Sequence, residues 1–423
     1  MKTYQILLAG ALMFGSVSPC MAQTDTKAVV EQTTQLIKAK GADFEKQVKD
    51  LYKANKKNPE ALLAIGRTFY NNKDYDKANQ FADYALQKNS KYADAFLLKG
   101  DICVSNDDAG GASQNYQQAI YFAPKNPEGY YKYAMILRGR NPEDAVATLE
   151  DLRKQVPDYP VDALAARIYY HTKNPNLQNA ADYYGKVADV TKMDDEDIKD
   201  YATIEWMLGN KDKSIEVAKA GLTKDAKWST LNRLVFWNST DKGYTDQALE
   251  YADRLFNKSD SAKITADDYA YYGTALKQAK RWDEAVDAYN KSLAALDADA
   301  NAIVSKPILY KSLSDVYNEK GDFDKALEFV EKSIDAKENP SFSDYNGLGS
   351  QYLEIATKRQ QANDAAGAKA AYKKADDTYA KIGEKYPDQA NYINYVRGSI
   401  NSAIDPDSKL GLAKPYYEAL VAS

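Results

Sequence analysis

Histidine and cysteine are almost absent from this sequence, which has one histidine and two cysteines in 423 residues. Because histidine is the side chain that titrates near neutral pH unaided, acid–base catalysis has few routes here, and a site with two imidazoles is excluded. Acidic residues number 61 and basic residues 56, which leaves a formal net charge of -5. The two signs are mixed along the chain, so the basic stripe typical of a nucleic-acid binder is missing.

Long apolar runs are also rare, and the clearest one lies near the start of the sequence. The apolar stretch 6–17 is followed by a short exit region that ends at Ala22. This pattern predicts a secretory signal peptide over residues 1–22, cleaved after Ala22, and a periplasmic protein. A lipoprotein anchored through Cys20 and associated with the outer membrane is the alternative, although Pro19 stands where a small, flexible residue normally precedes a lipidated cysteine.

The sequence does contain a regular spacing of small residues. Gly66 and Gly100 lie 34 residues apart, and Ala85 and Ala119 repeat the same step. Between them, apolar residues recur at helical spacing, which predicts pairs of helices. A small residue lets two helices cross closely without loss of packing. One small position recurs early in each predicted second helix: Ala78, Ala112, Ala145, Ala180, Ser214, Ala248, Ala285, Ala326, Ala368 and Ala413.

This period and these offsets resemble the tetratricopeptide repeat (TPR) family, whose unit is an antiparallel pair of helices. The best-matching units cover residues 62–85, 269–289, 310–326 and 345–375. The resemblance implies an all-α fold, a right-handed α-solenoid of about ten to eleven helix hairpins. Overall the chain resembles TPR proteins exported by Gram-negative bacteria.

The signal-peptide and repeat patterns together divide the chain into four predicted segments. We expect the signal peptide at 1–22, N-terminal capping helices at 23–57, a first array of repeats at 58–262, and a second array with longer helices at 263–423. The longer helices are expected because residues 362–367 belong to an insertion of about two helical turns.

Motifs for chemistry are missing from the sequence. It has no glycine-rich phosphate loop, zinc-binding helix motif or nucleophile elbow, so no catalytic residue, cofactor or metal is predicted. The acidic run at 193–197 is interpreted as the start of a helix, where carboxylates suit the positive end of the dipole, in preference to a cation site.

In TPR proteins the outward side of each first helix lines a concave groove, and the resemblance implies the same here. The early units are expected to place there Leu63, Arg67, Tyr70, Leu97, Asp101 and Val104, and the later units Thr274, Lys277, Lys311, Asp315, Asn318, Asn346 and Ser350. The middle units supply a more apolar set, predicted as the partner-binding groove: Tyr131, Met135, Arg138, Leu164, Ile168, His171, Trp206 and Phe236. An exposed apolar patch usually marks an interaction site.

The middle units are degenerate, and a second interpretation stays open for them. Arg167 and Val235 stand where the other first helices have a small residue. If the helix register differs there, the predicted groove residues belong to the core instead.

The predicted function is a protein- or peptide-binding scaffold in the cell envelope, not an enzyme. A glycan-binding protein is an alternative, because 34 tyrosines and four tryptophans could supply faces that stack on sugars. An α/α-barrel hydrolase is a further alternative, but the steady 34-residue step argues against that closed geometry.

Overall fold

The computed structural model describes residues 22–422, and this part of the chain is α-helical throughout, without a β-strand. Its 22 α-helices follow one another as eleven successive pairs. The predicted all-α organisation in helix hairpins is therefore confirmed for the described residues. Residues 1–21, which include Cys20 and most of the predicted signal peptide, lie outside them.

The chain divides into two compact units between Ala188 and Asp189, and each is described by itself. The boundaries expected at residues 57 and 262 stay predictions. In the first unit the helices are α1 (Ala22–Ala39), α2 (Phe44–Asn55), α3 (Pro59–Asn71), α4 (Tyr75–Lys88), α5 (Ala93–Ser105), α6 (Ala109–Phe122), α7 (Pro127–Leu137), α8 (Pro142–Gln155), α9 (Val161–Tyr170) and α10 (Leu177–Tyr184).

The second unit continues with α11 (Asp195–Met207), α12 (Lys211–Leu222), α13 (Ser229–Lys242), α14 (Thr245–Asp253), α15 (Ala266–Gln278), α16 (Trp282–Leu296), α17 (Lys306–Lys320), α18 (Phe323–Asp335), α19 (Phe342–Gln361), α20 (Ala365–Lys385), α21 (Ala390–Ile404) and α22 (Lys414–Ala422). Three short elements interrupt this series: 3₁₀ turns at Val190–Lys192 and Pro387–Gln389, and a π-helical turn at Arg254–Lys258.

The turns within several hairpins share one construction. A residue with positive φ is followed by an aspartate whose carboxylate caps the second helix. Lys73 (φ 63°) precedes Asp74, which accepts a hydrogen bond from the N–H of Lys77. Asn363 (φ 61°) precedes Asp364, which caps α20 in the same way. Aspartate at this position satisfies a backbone donor that the helix leaves without a partner.

Small residues bring the two helices of a hairpin into contact. Ala78, Ala82 and Ala85 of α4 have no exposed surface, and Phe69 of α3 stacks on Phe81 with ring centroids 5.7 Å apart. The predicted insertion also has the expected effect. Helices α19 and α20 contain 20 and 21 residues, whereas α3 and α4 contain 13 and 14.

Candidate functional site

In two hairpins, a glycine of the first helix packs directly against an aromatic ring of the second helix. A Cβ atom added to Gly100 of α5 would lie 2.3 Å from the ring of Tyr116 on α6, and one added to Gly273 of α15 would lie 2.8 Å from the ring of Tyr289 on α16. The glycine side of the first helix is therefore closed by an aromatic ring. The opposite side is left for neighbouring first helices and for solvent.

In the first unit, polar side chains connect three successive first helices. Tyr70 of α3 lies with its hydroxyl 3.1 Å from the Ser105 hydroxyl on α5. Asp101 of α5 accepts hydrogen bonds from Lys132 of α7 at 2.6 and 2.7 Å, and from the Tyr116 hydroxyl at 2.7 Å. Burial and the Asp101 carboxylate raise the pKa of Tyr116. The Tyr116 hydroxyl thus remains neutral and donates to Asp101, whose carboxylate also accepts from Lys132 of α7.

Four of the predicted partner-binding residues in the first unit are half-buried. They are Tyr131 and Met135 of α7, Arg138 at its C-cap, and Leu164 of α9. Arg138 Nη1 lies 3.3 Å from the Met135 sulfur, so the guanidinium covers the thioether. Their role in binding stays a prediction. Leu63 and Leu97, expected in the early groove, are 3% and 1% exposed and belong to the core.

Ile168 was expected in the groove and lies in the core, with 1% of its surface exposed. The reason is a shift of one residue in α9. Its buried residues follow the same offsets around Ala166 as those of α3 around Gly66. Ala166, not Arg167, therefore occupies the small position, and Ile168 turns inward. His171 is exposed at the C-cap of α9, with its ring 4.9 Å from that of Tyr170.

In the second unit, aromatic rings connect three successive first helices. Trp206 of α11 lies with its ring centroid 5.8 Å from that of Trp237 on α13. Trp237 in turn stacks on Tyr271 of α15 at 4.8 Å, with only 10° between the ring planes. Burial, with Asp241 and Asp267 nearby, raises the pKa of Tyr271 to about 12. Trp206, a predicted groove residue, is half-buried at the end of this row.

Phe236 was also expected in the groove, and this prediction is wrong, since its side chain has no exposed surface. Its ring lies 6.5 Å from that of Phe256 in the π-helical turn and 6.3 Å from that of Tyr271. Residues 234–240 of α13 are all buried, so this helix has no solvent-facing side over two turns. No pattern in the sequence indicates a helix that is covered on both sides.

A buried ion pair fixes the position of Trp237, and sequence reasoning missed it. Asp268, which has no exposed surface, accepts two hydrogen bonds from the Arg233 guanidinium at 2.8 and 2.9 Å. The same carboxylate accepts one from the Trp237 indole at 3.1 Å and one from the Thr265 backbone at 2.9 Å. A buried carboxylate is tolerated only when paired in this way.

The second unit has a concave surface on α15, α17 and α19, with Trp282 at the start of α16 beside it. It is a depression of about 440 Å³ that is lined by Lys277, Gln278, Trp282, Lys311, Ser314, Asp315, Asn318, Glu319, Gln351, Glu354 and Ile355. Four of the residues expected in the later groove, at 277, 311, 315 and 318, thus lie together. Thr274 instead faces Tyr289, with the two hydroxyls 3.0 Å apart. Asn346 accepts a hydrogen bond from the Tyr392 hydroxyl at 2.8 Å.

This depression is called the α17 depression below. Most of its lining residues are polar, and the ion pairs between them are long. Lys277 and Lys311 lie 3.9 and 3.6 Å from one oxygen of Asp315. Asn318 donates to Glu354 at 3.3 Å. Such groups can hydrogen-bond a polar ligand.

Two further features were sought in the part of the chain that the structure describes: a cluster of metal ligands and a membrane-spanning helix. No group of three or more histidine, cysteine or acidic side chains in residues 22–422 is arranged to hold a metal ion. The acidic run at 193–197 begins α11, with Asp194 at the N-cap and three carboxylates in the first turn. None of the described helices has the length and hydropathy to span a bilayer.

Comparisons with known proteins identify the repeats directly in part of the chain. Residues 63–127 and 128–159 match two family models, each described as a tetratricopeptide repeat. These segments run from α3 to the turn before α9. Among curated proteins, no sequence matches the chain.

Solved structures of TPR proteins are similar to parts of the chain. The C-terminal part of a TPR repeat-containing protein from Cytophaga hutchinsonii is 24% identical, covers 53% of this chain and 78% of its own, and gives a TM-score of 0.42. A tetratricopeptide repeat protein from Parabacteroides merdae is 17% identical, covers 62% of this chain and 99% of its own, and gives a TM-score of 0.34.

The matched segment contains the small positions Gly66, Gly100, Ala78 and Ala112 that define the repeat in the sequence. The helix pairs that follow it have the same construction, with a small residue where the two helices cross. Residues 63–159 therefore match the tetratricopeptide repeat family, and the described helix pairs after them share the same hairpin construction.

Proposed function

We propose that this chain is a protein- or peptide-binding scaffold of the cell envelope, and that it binds through the outward side of its first helices. TPR folds generally mediate protein–protein interaction, and the matched segment supports that general role. The observation on which the proposal depends is the α17 depression, where three successive first helices present a concave polar surface.

The chemistry of the α17 depression suits a peptide. Its ion pairs are exposed, with side-chain exposure of 59% for Lys311 and 42% for Asp315. Exposed pairs of this kind contribute about 0–1 kcal/mol each, so a ligand can exchange them for its own contacts at small cost. The amides of Asn318 and Gln351 can bond a peptide backbone, which presents both a donor and an acceptor.

The proposal includes one further candidate surface in each of the two units. In the first unit it consists of Tyr131, Met135, Arg138, Leu164 and His171, which combine apolar contact area with a cation. Trp206 is the corresponding candidate in the second unit. Ile168 and Phe236 are no longer candidates because they are buried.

Site-specific photo-crosslinking tests the proposal. A photoreactive amino acid at Gln351, inside the α17 depression, should give discrete adducts with envelope proteins in the native cell. The matched control places the same group at Glu328 on α18, an exposed position that does not line the depression. Adducts at both positions alike, or at neither, would contradict a binding surface on the first helices.

The cellular location is part of the proposal and has its own measurement. Mass spectrometry of the mature protein should find an N-terminus at Gln23 if the signal peptide is cleaved after Ala22. A lipidated N-terminal Cys20 would instead support the outer-membrane alternative. An unprocessed chain recovered from the cytoplasm would refute a role in the envelope.

The two alternative functions gain no comparable support. Trp237 stacks on Tyr271, and Tyr289 is buried beneath Gly273, so these aromatic rings are already used within the protein. The comparisons favour neither glycan binding nor hydrolysis by an α/α-barrel.

A further inference from the structure

One end of the α17 depression has surplus positive charge. The ammonium groups of Lys277 on α15 and Lys311 on α17 face the same carboxylate oxygen, Asp315 Oδ2, at 3.9 and 3.6 Å. One carboxylate neutralises only one of the two ammonium groups. Both distances also exceed that of a good hydrogen bond, so N–H donors remain available for a second anion.

The other end has surplus negative charge. Glu319, in the last turn of α17, is exposed and forms no ion pair within the described residues. Glu354 of α19 pairs with Lys358 at 3.2 Å and accepts the Asn318 amide at 3.3 Å. Lys358 neutralises one of these two carboxylates, which leaves Glu319 available for a further cation.

The distance between the charged ends selects a spacing in the ligand. Lys311 and Glu319 are eight residues apart on α17, which corresponds to about 12 Å along the helix axis at ~1.5 Å per residue. An extended peptide rises by about 3.3 Å per residue, so roughly four residues cover that length. An even spacing also places both side chains on the same face of the extended peptide.

The geometry points to a specific ligand for the α17 depression: an extended peptide segment with one acidic and one basic side chain four residues apart. The acid lies between Lys277 and Lys311, and the base lies between Glu319 and Glu354. This inference rests on the proposed function and adds the chemical class of the partner.

The test uses four synthetic peptides with the same neutral spacer. Two contain an acid and a base in either order, one contains two acids, and one contains two bases. Fluorescence anisotropy with the full chain should show both mixed peptides binding about fivefold more tightly than the two like-charged peptides, the effect of one or two exposed ion pairs.

Charge-reversal variants should change which of the four peptides binds most tightly. Lys311→Glu gives the depression two negative ends and should make the two-base peptide the tightest ligand. Glu319→Lys gives it two positive ends and should make the two-acid peptide the tightest. Lys325→Glu and Glu328→Lys on α18 are matched controls outside the depression, and they should leave the order of affinities unchanged.

The outcomes separate this inference from the proposed function. If all four peptides bind equally, if none binds, or if the variants do not switch the preference, the charge pairing is wrong. In each of those cases the proposed function still stands if Gln351 forms adducts that Glu328 does not. If both the peptide binding and the Gln351 adducts are absent, the two proposals fail together.

Discussion

At the scale of single residues, Gly349 and Gly347 show how closely the helices of a hairpin approach. Both are in α19, two residues apart. A Cβ atom at Gly349 would lie 2.5 Å from the Tyr379 ring, whereas one at Gly347 would have no atom within 4 Å. Tyr379 is 1% exposed and its hydroxyl is bonded to Asn346, so the ring cannot move aside without loss of contacts.

We therefore expect opposite effects from the same substitution. Gly349→Ala should lower the free energy of unfolding, because overpacking costs about 1–3 kcal/mol and exceeds or cancels the gain in helix propensity. Gly347→Ala should raise it by up to ~1 kcal/mol, because only the propensity changes. Urea unfolding of both variants, followed by circular dichroism, makes the comparison. Equal effects of the two substitutions would show that Tyr379 does not close this side of α19.

At the scale of one element, the start of α19 is fixed by a capping box. Ser341 accepts the backbone N–H of Asp344 at 3.3 Å, and Asp344 accepts the backbone N–H of Ser341 at 2.8 Å. Asp344 also pairs with Lys337. The hydrogen bond and charge of Lys337, with the Ser341 backbone, lower the pKa of Asp344 to about 2. The ionised carboxylate is therefore the form that the folded state prefers.

The sign of the pH dependence follows from that lowered pKa. In the unfolded chain Asp344 titrates near its ordinary value of 3.8, so its contribution to stability is complete above that pH and is lost as the pH falls through about 2. Asp344→Asn should cost about 1 kcal/mol at pH 6, a value typical of caps. Urea unfolding between pH 6 and 3 should show this difference becoming smaller at the acid end. A difference that is constant or grows towards acid would contradict the assignment.

Some of these elements could be predicted correctly from the sequence and others could not, for physical reasons. Hairpins with Gly66 or Gly273 were placed correctly because a close crossing admits only a small residue. The register of α9 was wrong because Ala166 and Arg167 were adjacent candidates, and only the core contacts distinguish them. The burial of α13 on both sides depends on Phe256 and Tyr271, which lie 20 and 35 residues from Phe236 in the chain.

The candidate site was predicted best where its residues are polar. Lys277, Lys311, Asp315 and Asn318 all line the α17 depression, because charged and amide side chains are mostly exposed in folded proteins. The apolar candidates were less secure, since an apolar residue fits the core as well as a groove. The ion pair of Arg233 with Asp268 was missed because nothing local relates two charges 35 residues apart.

At the scale of the whole molecule, the stability of a repeat chain is approximately a sum of contributions from each hairpin and its neighbours. Every described helix pair here packs on adjacent pairs within its own unit. A defect in one hairpin should therefore weaken that hairpin and those beside it, while distant hairpins keep their stability. The buried side chain of Ile168 in α9 provides a suitable defect.

Ile168→Ala should cost about 2–5 kcal/mol, because it leaves a cavity in a closed core. Hydrogen exchange followed by mass spectrometry should show faster exchange in α7 to α10 and unchanged exchange in α19 and α20. Leu164→Ala on the same helix is the matched control, and its effect should be smaller because Leu164 is only half-buried. Equal losses of stability in the two variants would contradict the burial of Ile168 in the core. Faster exchange in every helix would mean that the chain unfolds as one cooperative unit, against the additive behaviour that stacked repeats predict.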